Sequence, residues 1–353
     1  MNTRYCVAWF FGKLLATRRV LSEKAGLFLG KSRWISIALG TSLLFIVLSV
    51  FSPVFLTFSN LLDLLVNSAF VGIMSAGLTL VIMSGNIDIS VGAIVYLVGA
   101  SVTKLTTSLG MPATLSWVLG LLLGVGLGLI NGLLVSYIEL NPLIVTLATF
   151  NVFRGIAIRV GGLQILLVPE RLTFFGASSI LRVPMPVLLF VLVVALLVAL
   201  STRTWFGRQV LAVGCSRESA VATGIPIKWV TVITYVISGF CASLGALVLI
   251  GRVGAIQPNL GIGSEFTAIS AAVLGGTALS GGIGSVFGSA IGAVFLSLIV
   301  NGLNLLEVPI YAYDIVRGVI LASAVLVDRL TAARLTRSWM GKIKRVLSLV
   351  KEV

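Results

Sequence analysis

The sequence predicts an all-α polytopic membrane protein with about ten transmembrane helices. Of its 353 residues, 58% are hydrophobic and only 10% are charged, which is more apolar than a soluble globular protein. The apolar residues fall in long runs, and about 20 of them in succession can cross a bilayer. The basic residues gather at the two ends and in one middle loop, a distribution that is typical of membrane topology.

Ten apolar runs are candidate spans, and three of them are weak. The run over 91 to 107 is short, the run over 142 to 160 contains Arg154 and Arg159, and the run over 266 to 281 is rich in Ala and Gly. These three runs are candidates for broken or re-entrant helices. The predicted spans are 34 to 55, 61 to 83, 91 to 107, 113 to 138, 142 to 160, 183 to 201, 229 to 251, 266 to 281, 284 to 304 and 309 to 328.

The distribution of Lys and Arg predicts the orientation of these spans. Seven lie in residues 1 to 33, four in the loop from 202 to 228, and seven in residues 329 to 353. All three groups fall on one side of the membrane if six spans precede the loop and four follow it. We therefore expect cytoplasmic basic tails at 1 to 33 and 329 to 353, and a transmembrane domain over 34 to 328.

The composition argues against an enzyme. Histidine is absent, and Cys6, Cys215 and Cys241 are scattered, so no zinc spacing, Cys-His pair or Ser-His-Asp triad can be assembled. The segment from Gly26 to Ser32 departs from a phosphate-binding loop, because only three residues separate its glycines. We expect no metal and no cofactor in this chain, so that energy comes from a partner or an ion gradient.

One segment places polar side chains between two long apolar runs. A carboxylate at membrane depth normally faces a bundle interior, a partner or water, and flanking glycines allow a helix to unwind there. We predict that this segment shapes the substrate pathway, whereas the alternative is that its aspartate only caps the following helix. The residues are Ser84, Gly85, Asn86, Asp88, Ser90 and Gly92.

A similar pattern recurs near the other end of the chain. Ser84, Gly85, Ile87 and Gly92 match Ser280, Gly281, Ile283 and Gly288 at one constant offset, although Gly284 replaces the aspartate. We call each such pair of matching segments an echo. Two further echoes follow in the same order, one around Asn131 and Asn301 and one around Arg154 and Arg317. Broken segments at corresponding places in two halves are typical of a transporter's central route. We predict an internal repeat and leave open whether its two halves run in the same or in opposite directions; chance similarity is the alternative. We also assign Ser280, Gly281, Gly282 and Ser285 to the predicted substrate pathway.

The loop from 202 to 228 predicts a short helix from Arg217 to Thr223. Ser216 can cap it, Glu218 lies in its first turn, and Gly224 with Pro226 ends it. Because two turns are not stable alone, this helix must lie against something. Either it docks into a groove of another protein, or it packs on the underside of its own bundle.

Two loops on the predicted outer side, 161 to 182 and 252 to 265, combine turn residues with a few charges. Their composition is typical of a docking rim, and equally of simple connections between helices.

Three motifs together resemble the permease subunits of bacterial ABC sugar importers, the ribose, xylose, arabinose, galactose and autoinducer-2 permease family. The first runs from Gly85 to Gly92, the second from Phe206 to Ile225, and the third from Ala272 through Thr277 to Gly282. The resemblance covers about residues 55 to 328. Family members usually begin the acidic motif with two glycines, and Gly85-Asn86 departs from that pattern.

The resemblance implies import of a monosaccharide or related small sugar. It implies two permeases in the bacterial inner membrane, as a homodimer or with a sister permease, an ATPase subunit that binds the ATP, and a periplasmic sugar-binding protein. The loop from 202 to 228 lies between the sixth and seventh predicted spans, and from this position we predict that it is the contact with the ATPase. A carrier driven by an ion gradient is the competing hypothesis. The predicted coupling residues are Gly207, Arg208, Gly214, Ser216, Arg217, Glu218, Ala220 and Gly224.

Overall fold

The computed structural model describes residues 37 to 309, Ile35, and ten scattered positions between 312 and 326. The two predicted basic tails and part of the tenth predicted span lie outside these residues. The described part is a bundle of helices with four two-residue strands, which confirms the prediction of an all-α polytopic membrane protein.

The first half of the described chain contains α1 Ile37–Phe51, α2 Phe58–Met83, α3 Val91–Thr107, α4 Ala113–Ser136 and α5 Pro142–Gly161. After β1 Leu166–Leu167 and a 3₁₀ turn at Glu170–Leu172 come α6 Phe174–Ala177, β2 Ser179–Ile180, β3 Val183–Pro184 and α7 Met185–Arg203. The second half contains α8 Trp205–Cys215, α9 Arg217–Ala222, α10 Ile227–Val253, β4 Ala255–Ile256, α11 Ser264–Leu274 and α12 Val286–Leu305.

Nine of the ten predicted spans correspond to described helices, and six of these helices are long and apolar enough to cross a membrane. The exceptions among the nine are α1, α3 and α11, which have 10 to 17 residues. Two of the three runs expected to be broken or re-entrant are uninterrupted helices, the short run as α3 and the run with two arginines as α5. The third, from 266 to 281, is broken as expected, because α11 ends at Leu274, where the chain turns.

The helices α2 and α10 form the centre of the bundle. Residues 71 to 83 of α2 are all buried except Val71, and a helix that is apolar on every side belongs inside a protein. The helix α4 packs closely on α10 through its glycines, because a Cβ at Gly128 would lie 2.3 Å from the Tyr235 carbonyl oxygen. The face of α4 that carries Gly120, Gly124 and Gly128 is therefore a packing face.

The two loops of the predicted outer rim meet each other. β1 and β4 pair antiparallel, with Leu167 opposite Ala255, and Val168 donates its N–H to the Gly254 carbonyl. The helix α6 is held beside them, since Phe174 and Phe175 lie against the Trp117 ring. The loops thus form one packed surface.

The opposite end of the bundle carries the middle loop. Lys228, the last residue of the loop, lies 3.8 Å from Glu139 in the connection between α4 and α5, so these two connections share one end. The six helices α1 to α5 and α7 precede the loop, as the orientation argument requires.

Candidate functional site

The polar segment after α2 is a sharp helix end followed by irregular backbone. Gly85 has a φ of 80°, and its N–H bonds the carbonyl of Ile82 while the N–H of Asn86 bonds that of Val81. These two bonds define a Schellman motif, whose position of positive φ favours glycine. We call residues 84 to 90 the first break.

The carboxylate of Asp88 is fully buried within the first break. Its Oδ1 accepts bonds from the backbone N–H of Ser90 at 3.0 Å and from the Ser90 hydroxyl at 2.6 Å. Its Oδ2 accepts a bond from the Ser238 hydroxyl of α10 at 3.0 Å. The bond to the N–H two residues on is an Asx turn, so Asp88 orders the backbone that leads into α3. It does not cap that helix, because Ser90 is the N-cap residue of α3 and no side chain bonds the N–H groups of its first turn.

The first break is bound to two neighbouring helices by residues that the sequence argument did not assign to the site. Tyr235 of α10 donates its hydroxyl to the Ile87 carbonyl at 3.0 Å. Asn131 of α4 donates its amide to the Ser90 hydroxyl at 2.7 Å. Asn131 had a detectable signal, because it stands in the second sequence echo, whereas nothing in the sequence marks Tyr235.

The second break covers residues 275 to 285. Gly276 has a φ of 96°, and the bonds from Gly276 to Val273 and from Thr277 to Ala272 form a second Schellman motif. The structural equivalent of Gly85 is therefore Gly276 and not Gly281, because the second break is longer than the first. At its far end Ser285 caps α12 by accepting the N–H of Gly288.

The later echoes occupy different places in the two halves. Between the first break and Asn131 lie α3 and most of α4, whereas Asn301 lies in α12, which directly follows the second break. Asn301 exchanges side-chain hydrogen bonds with Asn60 at the start of α2. Arg317 of the third echo lies outside the described residues. The break is thus the feature that both halves share.

The two breaks are in contact with each other and with the end of α8. The N–H of Gly282 bonds the Met83 carbonyl at 2.9 Å, and a Cβ at Gly281 would lie 2.6 Å from the Cα of Gly85. A Cβ at Gly214 would lie 2.4 Å from the nitrogen of Gly282, and closer still to the Met83 carbonyl oxygen. We call this meeting of both breaks with α8 the glycine junction.

Cys215 borders the glycine junction. Its sulfur lies 3.4 Å from the Gly282 carbonyl oxygen, and burial raises the pKa of its thiol. Less thiolate is therefore present near neutral pH than for a free cysteine, and alkylation of Cys215 should rise with pH. Ser84 is buried beside the junction and bonds Asn86 at 2.9 Å, whereas Ser280 is exposed.

Gly92 lies away from the glycine junction. A Cβ at this position would lie 2.1 Å from Glu265 Oε2 and 2.8 Å from the Gly261 carbonyl oxygen. Glu265 is buried, and its other oxygen accepts the N–H of Gly263. The structure thus gives Gly92 a packing role, which allows the turn before α11 to approach α3.

The middle loop contains one helix that we predicted and one that we did not. The predicted helix is α9, with Ser216 as its cap and Gly224 at a φ of 76° after its end. The additional helix α8 carries buried Val210 and Val213 and half-buried Phe206, a spacing that fits one helical face.

The other predicted coupling residues fall into buried and exposed sets. A Cβ at Gly207 would lie 2.1 Å from the Ser201 carbonyl oxygen, so the turn from α7 to α8 requires glycine. Ala220 is 2% exposed and packs into its own bundle, which removes it as a direct contact for a partner. Arg208, Arg217 and Glu218 are exposed.

A groove of about 400 Å³ lies beside α9 at this end of the bundle. Tyr137 and Glu139 form one wall, and Arg217, Val221 and Trp229 form part of the other. Val221 is 64% exposed and Trp229 60%. In the part of the chain that the structure describes, no three metal-binding side chains are grouped to hold an ion.

The fold and the two contacting breaks define a polytopic membrane transport protein. Residues 60 to 325 match the family described as the branched-chain amino acid transport system / permease component, and the chain belongs to this family. Its relatives include the ribose import permease protein of Bacillus subtilis, 39% identical over 84% of this chain and 92% of the relative.

Two further relatives come from Escherichia coli. The D-allose transport system permease protein is 37% identical over 78% of this chain and 85% of its own. The L-arabinose transport system permease protein is 35% identical over 82% of this chain and 88% of its own. No solved structure matches the chain. The chain is therefore a permease component, which is the class that the sequence motifs predicted.

Proposed function

We propose that this protein is the membrane-spanning permease of an ATP-driven importer for a monosaccharide. The observation that carries the proposal is the similarity to three sugar permeases over about four fifths of the chain. Separate subunits supply ATP hydrolysis, outside this chain, and a periplasmic binding protein delivers the sugar to the outer rim. The protein lies in the bacterial inner membrane with both termini in the cytoplasm, and works with a second permease.

The glycine junction supports a mechanism for coupling. The ATPase docks on α9 and the adjoining groove, where exposed Arg217 and Glu218 orient it and Val221 with Trp229 offer apolar contacts. Movement of α9 is carried by α8 to Gly214, which contacts both breaks at once. The breaks therefore open and close the cytoplasmic end of the sugar route when the ATPase moves.

Uptake by right-side-out membrane vesicles tests the proposed function. Vesicles that contain the permease with its ATPase and binding protein should take up D-ribose, D-allose or L-arabinose when ATP is supplied inside. Dissipating the proton gradient while ATP is retained should leave uptake intact. Uptake that follows the proton gradient and ignores ATP would instead establish a carrier driven by an ion gradient.

A further inference from the structure

A short hairpin leads directly into α7, at the end of that helix opposite the middle loop. Its strands are β2 and β3, in which Ile180 lies opposite Val183. Leu181 and Arg182 form the two-residue turn between the strands. We call residues 179 to 183 the hairpin tip.

The backbone of this turn is unfavourable for the residues that occupy it. Leu181 has a φ of 51° and Arg182 a φ of 68°, and positive φ at both central residues is the mark of a type I′ turn. Such turns strongly prefer Asn-Gly or Asp-Gly, because most side chains are strained in this conformation. Leucine and arginine therefore weaken the hairpin itself, and backbone strain of this kind points to a function for the side chains.

The hairpin tip stands free of the bundle. All five of its residues are exposed, Leu181 to 93%. Within the described residues, the Arg182 side chain forms no ion pair and no hydrogen bond. An isolated two-stranded hairpin is at best marginally stable in water, and this one has strands of only two residues. The contact that holds it therefore comes from its surroundings.

The length of α7 places the hairpin tip at the membrane surface. The helix has 19 residues, which is about 28 Å and close to the thickness of the hydrocarbon core, about 30 Å. Because the middle loop follows its other end, Met185 at its start lies at the edge of the core. The two residues of β3 reach about 7 Å further, which is the depth of the polar headgroups.

The hairpin tip also continues the outer surface of α7. Phe190 is buried on the side that packs against the bundle, whereas Leu188 and Val191 are exposed. Lipid tails are as apolar as leucine, so this exposed side of α7 suits lipid. The exposed Ile180 and Val183 carry the same apolar character from the helix to the tip.

We propose that the hairpin tip anchors α7 in the headgroup region of the bilayer, with Leu181 among the outer parts of the acyl chains and the Arg182 guanidinium on a lipid phosphate. A long apolar and a long cationic side chain suit a boundary that is apolar on one side and charged on the other. Arginine also binds phosphate through two parallel hydrogen bonds. The partner is a phospholipid surface, and the contact does not depend on the transported sugar.

Quenching by brominated lipid tests this anchor. In the full-length protein without its three native cysteines, Ile180→Cys is labelled with a fluorophore and reconstituted into vesicles of phosphatidylglycerol and phosphatidylethanolamine with brominated acyl chains. Its emission should be at least twofold lower than in vesicles of the same lipids without bromine. Leu192→Cys, exposed at the middle of α7, is the positive control. Gln257→Cys, exposed in the polar turn after β4, should not be quenched.

A change of the turn separates the anchor from the fold. Leu181→Asn combined with Arg182→Gly supplies the residues that a type I′ turn prefers, so the folded yield and the midpoint of thermal unfolding should be kept or raised. The quenching of the label at position 180 should nevertheless fall at least twofold, because the anchoring side chains are gone.

Two results would overturn the proposal. A label at position 180 that is as little quenched as the one at position 257 would place the hairpin tip in water, on the side where the binding protein is proposed to dock. Val183→Cys on the facing strand repeats this measurement if Ile180→Cys fails to fold. Quenching that is unchanged by the double substitution would show lipid contact in which Leu181 and Arg182 have no part.

Discussion

The environment of Asp88 shows how a single carboxylate organises a helix break, a structural role that stands beside its predicted role in the substrate pathway. Its two oxygens accept three hydrogen bonds from Ser90 and Ser238, which join the first break to α10. No cation among the described residues forms an ion pair with it. A buried carboxylate in this setting fixes local geometry through its hydrogen bonds.

Replacing Asp88 separates these two roles. Asp88→Asn keeps the oxygen that faces Ser90, and its new N–H₂ can donate to the Ser238 hydroxyl, so the folded yield should be retained. Asp88→Ala should lose about 1 to 3 kcal/mol of stability, because buried donors are left unpaired. Thermal unfolding of the purified variants checks both expectations, with the exposed carboxylate variant Asp63→Asn as control.

Transport by the same variants tests the pathway proposal. If Asp88 helps to open and close the route, Asp88→Asn should reduce sugar uptake despite normal folding. Normal uptake together with normal yield would leave Asp88 with its structural role in the first break alone.

At the scale of elements, α9 illustrates why a six-residue helix needs a protein surface to pack against. Ser216 and the turn at Gly224 define its ends, yet two turns are not stable in isolation. Ala220 anchors it to the bundle, which leaves Val221 facing outward. The structure therefore shows α9 packed on its own bundle through Ala220, and the proposed contact with the ATPase belongs to the exposed side.

Acidic substitutions should distinguish the two sides of α9. Val221→Glu should fold normally and weaken co-purification of the ATPase, because the change alters only the exposed face. Ala220→Glu should instead lower stability by about 2 to 4 kcal/mol, since it buries a charge without a partner. Leu109→Glu, exposed between α3 and α4 at the other end, serves as the control. Full ATPase binding by Val221→Glu would contradict docking at this face.

At the scale of the whole molecule, the glycine junction joins parts of the chain that are distant in sequence. The end of α2, the second break and the end of α8 converge where four glycines permit backbone contact, namely Gly85, Gly214, Gly281 and Gly282. Any side chain at Gly214 would force these backbones apart. The connection between the middle loop and both halves therefore depends on the absence of one Cβ.

Gly214→Ala should disturb the coupling of ATP hydrolysis to sugar transport more than the addition of one methyl group suggests. Alanine favours a helix over glycine by about 1 kcal/mol, but here its Cβ meets backbone atoms that cannot rotate away, and overpacking of this kind costs about 1 to 3 kcal/mol. We expect less sugar transported per ATP hydrolysed by the reconstituted transporter. Gly126→Ala is the control, because its Cβ would meet nothing within 4 Å. Unchanged coupling in Gly214→Ala would show that force reaches the breaks by another route.

The sequence alone determined the class of fold, the positions of nine described spans and the two breaks. Long apolar runs have one stable solution in a bilayer, because a helix satisfies its own backbone hydrogen bonds. Ser216, Glu218 and Gly224 likewise predicted α9 through local capping rules. These features depend on residues close together in the chain, so the order of amino acids suffices to find them.

The tertiary structure decided which of these residues meet. Gly85 and Gly281 match in sequence, but only packing brings them beside Gly214. The structure also shows that the helix end at Gly85 corresponds to the one at Gly276, where φ is again positive. The inward orientation of Ala220 and the outward orientation of Val221 depend on neighbours far away in the chain. Helical periodicity gives the faces of a helix, whereas the choice of the face that is buried depends on close packing with other helices.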